Sequence, residues 1–141
     1  MMSVKFYDNV DDKLLKFAVI VSKSNGKWVF CKHKERTTYE CPGGHREPGE
    51  DIVETARREL VEETGAIDFD LKPICVYSVI DENNFDGSET FGLLCYAEIS
   101  TFDEIDSEIE KIVMLDDLPD NWTYPNIQPY LIKEMLNRKH I

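Results

Sequence analysis

The sequence predicts an α/β fold, α+β by stricter usage, in which a mixed sheet packs between helices. Three observations point there. Short apolar runs bounded by turn residues precede one strongly periodic helical segment near 51–65, more apolar runs follow it, and the chain closes on a second helical pattern.

Taken in order, Phe17–Val21 reads as a buried strand and Trp28–Cys31 as its hairpin partner, joined by the turn residues Ser24-Asn25-Gly26-Lys27. Tyr39–Cys41 is a candidate short strand, closed by Pro42-Gly43-Gly44, and a loop runs on to Glu50. Asp51 suits an N-cap with Glu54 three residues later. Ile52, Val53, Ala56, Leu60 and Val61 then form an apolar helical stripe that stops at Thr64-Gly65. Pro73–Ile80 and Thr90–Ile99 read as strands across an acidic loop, Asp81–Glu89, and Ile109–Leu115 is a further apolar segment ended by Leu118-Pro119. Tyr130, Leu131, Met135 and Leu136 predict a helix within Tyr124–Asn137, with Pro129 as a candidate start. No repeat or low-complexity linker interrupts the chain.

Length and composition restrict what such a fold does. A chain of 141 residues with 42% apolar and 31% charged residues suits one domain over 1–141 with its own core, not a disordered acidic tail. A net charge of −12 excludes DNA binding driven by bulk charge and weighs against RNA, so a polyanionic ligand would need local help, such as a metal ion. No apolar run approaches the roughly 18 residues of a membrane span; Phe17–Val21 has five. Residues 1–16 carry Asp8, Asp11 and Asp12 where a secretory signal is apolar, and Cys31, Cys41, Cys75 and Cys95 form no C-x-x-C pair. A cytoplasmic location with reduced, structural thiols is the expectation, as a monomer or homodimer.

On the 51–65 helix, Glu59, Glu62 and Glu63 are three and four residues apart, which places their carboxylates on one face, opposite much of the apolar stripe. Each like-charged pair costs an isolated helix about 0.2–0.5 kcal/mol. A divalent cation removes the conflict, and hard oxygen ligands suit Mg²⁺ or Mn²⁺. The alternative on the helix alone is a solvated acidic face.

The wider spacing decides between them. Gly44 is followed after five residues by Glu50, after seven more by Arg58-Glu59-Leu60, and then by Glu62-Glu63 and Gly65. This resembles the Nudix box of the Nudix hydrolase family, G-x5-E-x7-R-E-U-x-E-E-x-G-U with U aliphatic, over residues 44–65. Every fixed identity is present, a far more specific signal than a lone Gly-rich loop. Ala66 departs from the larger aliphatic residue of the pattern. Tyr39-Glu40-Cys41 before Pro-Gly-Gly and the late Leu118-Pro119 extend the resemblance over about 17–119.

The resemblance implies an α/β/α sandwich and metal-dependent hydrolysis of a diphosphate linked to another moiety, by water attack at phosphorus. It implies that Glu59, Glu62 and Glu63 hold metal, joined by the Gly43 carbonyl, and that Arg58 orients Glu59. Glu50 then braces the loop rather than binding metal. For the general base the resemblance leaves open a box glutamate or an acid outside the box; among the outside acids Glu108 is preferred over Glu110 and Glu98. His33, His45 and His140 receive no role. Trp122, Tyr124, Asn126 and Gln128 combine ring faces for stacking with amides that could read a base edge, against the plainer alternative of core and lid packing. Lys32, Lys34 and Arg36 are candidates for terminal phosphates or for a solvated connection. The expected function is a pyrophosphohydrolase acting on a small-molecule nucleotide, a nucleoside di- or triphosphate derivative such as 8-oxo-dGTP. A looser resemblance to a bacterial branch of oxidised-purine diphosphatases points the same way. The alternatives are an RNA 5′-end pyrophosphohydrolase and a non-catalytic nucleotide sensor.

Overall fold

Alternation of side chains along two central strands organises the molecule. A computed structural model describes residues 2–81, 88–103 and 109–138, apart from the side chains of 109 and 110. Its strands are β1 (Met2–Tyr7), β2 (Leu15–Ser24), β3 (Lys27–His33), β4 (Gly43–His45), β5 (Ala66–Asp81), β6 (Glu89–Phe102) and β7 (Ile109–Leu115). Its helices are α1 (Ile52–Thr64) and α2 (Gln128–Asn137), with a 3₁₀ turn at Asp12–Leu14. The strands form one mixed sheet in the order β1-β5-β6-β2-β3-β7, and β4 joins beside β2.

Because successive strand residues face opposite sides, β2 and β6 feed two cores. Ala18, Ile20, Leu93, Cys95, Ala97 and Ile99 meet Ile52, Ala56 and Leu60 of α1. Val21, Phe30, Tyr77 and Leu94 meet Leu131, Ile132 and Met135 of α2. The result is the expected α/β/α sandwich.

The fork beside β2 positions the site. One edge of β2 runs parallel to β6. The other is divided: Ser22–Ser24 pair with β3, Phe17–Val19 pair with β4, and between them the Ile20 N–H donates to the Pro42 carbonyl at 2.9 Å. A cleft therefore opens where β3 and β4 diverge.

Several elements differ from the sequence reading. Tyr39–Cys41 forms no strand of its own; Glu40 makes an isolated bridge to Cys31 and Tyr39 one to Trp122, while the short strand is the next segment, Gly43–His45. β5 begins at Ala66 rather than Pro73, because Pro73 lies at a register shift where its missing N–H is tolerated. β1 was not anticipated, and it pairs antiparallel with the far half of β5. α2 starts at Gln128 and carries Pro129 in its first turn.

Candidate active site

The turn into α1 is built by short-range chemistry. The Asp51 carboxylate accepts the Val53 N–H at 3.1 Å, and Gly65 ends the helix in the left-handed region at φ 76°. Between these caps, Arg58 ties the loop to the acidic face. Its Nε and Nη2 donate to the two Glu50 oxygens at 2.6 and 3.1 Å, a bidentate pair. Its Nη1 donates to Glu59 at 2.7 Å and to Glu62 at 3.3 Å, and Nη2 also reaches the His45 carbonyl at 3.0 Å. The bond from Arg58, followed by one from the Thr55 hydroxyl, holds the Glu50 carboxyl down to about 2. In return, the Glu50 carboxylate holds the Arg58 guanidinium above its ordinary value. Glu50 thus braces the loop.

The acidic trio does not share one environment. The Glu63 side chain is 7% exposed, whereas those of Glu59 and Glu62 are 13% and 53% exposed. The expectation that all three oppose the apolar stripe needs correcting for Glu63. Seven residues bring a helix back to within about 20° of the same direction, so Glu63 lies over Ala56 and dips toward the core. There its Oε1 accepts the Gly43 N–H at 2.7 Å, and its Oε2 lies 3.9 Å from His33 Nε2. The same imidazole nitrogen is 3.4 Å from Glu40 Oε2, and Arg36 donates to Glu40 Oε1 at 2.9 Å.

Glycine is required at 43 and 44 by close approach. A Cβ on Gly44 would lie 2.5 Å from the Glu59 carboxylate, and one on Gly43 would lie 2.5 Å from the Ala18 carbonyl. β4 thereby presses against the acidic face of α1 on one side. On its other side it walls a pocket of about 290 Å³ lined by Phe17, Val19, Glu40, Cys41, Gly43, Gly44, His45, Tyr77, Tyr124, Ile127 and Gln128, among others.

The structure divides the four expected substrate residues. Tyr124 and Gln128 line this pocket, but Trp122 packs edge-on against Phe30 at 5.3 Å and belongs to the core around α2. Asn126 faces a separate groove between β1 and α2, which no acidic residue of α1 lines. Although the four lie within seven residues of sequence, the turn before α2 sends them in different directions. Glu108 and the side chain of Glu110 lie outside the described residues, as does His140. Glu98 accepts the Tyr96 hydroxyl on an exposed stretch of β6, paired across the sheet with Lys23 and Asp70. Glu40 and His33 have no role in the sequence reading, yet His33 lies between Glu40 and Glu63. Glu40 and His33 are adjacent because the 39–41 segment turns back across β3, where Cys31 and Glu40 exchange backbone hydrogen bonds at 2.8 and 3.0 Å.

Among the described residues, no three His, Cys, Asp or Glu side chains are gathered closely enough to hold an ion as they stand. Arg58 draws Glu59 and Glu62 toward itself, while Glu63 bends to the Gly43 N–H. The donors nonetheless fit a hard divalent cation in kind: three carboxylates, one of them buried, with the Gly44 cradle shaped to Glu59. The cysteines do not compete for that role. All four are free and buried, and burial pushes each thiol up.

Comparison with known proteins agrees with the geometry. The NUDIX domain family model matches residues 12–133. A Bacillus subtilis (strain 168) protein provisionally named as the 8-oxo-dGTP diphosphatase YtkD is 43% identical over 61 residues, which is 43% of this chain and 38% of that protein. The match thus spans well under half the length of that relative. Among solved structures, the Bacillus subtilis pyrophosphohydrolase BsRppH superposes with a TM-score of 0.79 at 24% identity, covering 99% of this chain and 92% of the other. A C. elegans Ap4A hydrolase superposes with a TM-score of 0.64 at 18% identity, covering 89% and 100%. At these identities the two structures speak to the fold alone.

Proposed function

The chain belongs to the Nudix hydrolase family, and from that premise we propose that it is a metal-dependent pyrophosphohydrolase of a nucleoside di- or triphosphate derivative. The sharpest form of the reading is a purine nucleoside triphosphate such as 8-oxo-dGTP, which the partial identity to YtkD supports. The observation that carries the reaction class is the placement of Glu59 and Glu63 on one side of β4 and an apolar pocket on the other. A base held in that pocket would direct its phosphates toward the carboxylates.

Glu59, Glu62 and Glu63, with the Gly43 carbonyl, would hold Mg²⁺ or Mn²⁺, which when bound supplies neutralising charge for the phosphate oxygens and acidifies water. Arg58 orients Glu59 and Glu62, and Glu50 fixes Arg58 through the bidentate pair. Glu108 is the acid proposed to accept the proton from attacking water. Tyr124 and Gln128 contact the base. Arg36, bonded to Tyr124 and Glu40, adds positive charge beside the pocket. No helix among the described residues is long and apolar enough to cross a membrane. Buried free thiols support a cytoplasmic location, and one sheet drawing strands from both ends of the chain supports a single domain over 1–141.

The test is product analysis in H₂¹⁸O with Mg²⁺, across purine and pyrimidine triphosphates, 8-oxo-dGTP, ADP-ribose, dinucleoside polyphosphates and triphosphorylated RNA. The expected result is release of pyrophosphate or phosphate from a nucleotide, with the label on a phosphorus product. Tight binding of one ligand with no turnover of any would instead make the protein a sensor, and selective action on RNA would move the substrate class.

A further inference from the structure

The pocket beside β4 contains two buried polar side chains of opposite hydrogen-bonding character. Gln128, the first residue of α2, is 4% exposed, and its Oε1 accepts the Cys41 N–H at 2.7 Å. A backbone N–H can only donate, so the amide oxygen must face it. The Nε2 group, with two N–H donors, is turned elsewhere, and no acceptor meets it among the described residues. Glu40, next to Cys41 in the chain, is 7% exposed and is an acceptor. Arg36 and His33 engage its two oxygens, and each oxygen keeps a second lone pair. Both side chains line the pocket, whose other walls are largely apolar: Phe17, Val19, Tyr77 and Ile127. Gly92 beneath Phe17 leaves room for that ring, since a Cβ there would lie 2.5 Å from it. At about 290 Å³ the pocket suits a base rather than a whole nucleotide.

We infer that this pocket selects nucleobases that present a carbonyl oxygen beside a ring N–H, with Gln128 donating to the carbonyl and Glu40 accepting the ring N–H. Guanine, its 8-oxo form, hypoxanthine and uracil carry that edge. Adenine and cytosine reverse it, setting an amino group against the Gln128 amide and a ring lone pair against the Glu40 carboxylate. In a buried site both groups are then left unsatisfied, which discriminates far more strongly than a loss of contact area. The inference rests on the reading that the pocket holds the base of the substrate, and it deepens that reading.

The test compares inosine and adenosine nucleotides, which differ only at this edge. Two measurements are made on the full chain with Mg²⁺: kcat/KM for ITP and ATP, and calorimetric binding of IMP and AMP. The inosine form is expected to be favoured by about tenfold or more in both. In Gln128→Glu, one oxygen still accepts the Cys41 N–H while the donor becomes an acceptor, so the preference should move toward adenosine. Should that variant fail to fold by circular dichroism, the wild-type ratios and Gln128→Met, expected to bring the ratio near one, carry the test. Equal wild-type ratios, or a folded Gln128→Glu with an unchanged preference, would overturn the inference. Hydrolysis of both triphosphates at equal kcat/KM sinks the selectivity and leaves the enzyme standing. Absence of hydrolysis with IMP still bound tenfold more tightly than AMP does the reverse.

Discussion

Arg58 shows how much of this site rests on a single guanidinium. It holds Glu50, Glu59 and Glu62 at once, so Arg58→Ala should release all three and lower kcat/KM about 10- to 100-fold, measured by steady-state kinetics. The same contact has a pH signature. Glu50 titrates near 4.5 when free and is held down to about 2 in the fold. Its contribution to stability is therefore complete above about 4.5 and is lost as pH falls toward 2. Thermal melts between those limits should fall more steeply with acid for the native protein than for Arg58→Ala. The neighbouring glycines separate catalysis from folding. Gly44→Ala would push the far end of one side chain, Glu59, and should cost activity with little change in melting temperature. Gly43→Ala would meet the Ala18 backbone carbonyl and should cost about 1–3 kcal/mol of stability in denaturant titrations. The box residues were legible in the sequence because their spacing is local to one loop and one helix. Glu40 and His33 were not, since it takes the return of 39–41 across β3 to set Glu40 3.4 Å from His33, which lies 3.9 Å from Glu63.

At the scale of elements, α1 was read correctly because its signals are all local: the Asp51 cap, the apolar stripe and the Gly65 stop. The Gly65 stop is also tertiary, because its carbonyl accepts the Asp103 N–H at 2.6 Å and its missing Cβ makes way for the Asp103 carbonyl. Gly65→Ala should therefore cost more than the roughly 1–2 kcal/mol of a left-handed residue alone, read from the shift of a denaturant midpoint. Strand boundaries were less legible. β5 carries exposed Asp68 and Asp70 and crosses Pro73, all of which argue against a strand in isolation, and its pairing with β6 overrides them. β1 is short and only half-buried, so its alternation is too weak to separate from a tail. Its Val4 and Phe6 pack on the core around α2.

Across the whole molecule, a net charge of −12 works against the compact state, and Glu59, Glu62 and Glu63 add like charges on α1 beside β4. A divalent cation that binds only the folded protein should stabilise it, by about 2.7 kcal/mol at a hundredfold excess over its dissociation constant. Melting in Mg²⁺ should exceed melting in NaCl of equal ionic strength, and Glu63→Gln should shrink the difference. The sandwich was legible from the order of strands and helices. The fork of β2 between β3 and β4, which makes the pocket, was not, because it depends on pairings between segments distant in the chain. The most direct test of the central claim is the rate of nucleoside triphosphate hydrolysis across a Mg²⁺ titration, for the native chain and for Glu63→Gln, which keeps an acceptor for the Gly43 N–H. The account expects turnover that requires Mg²⁺ and falls by about a hundredfold or more in the variant. Turnover without the metal, or equal rates for the two proteins, would contradict it.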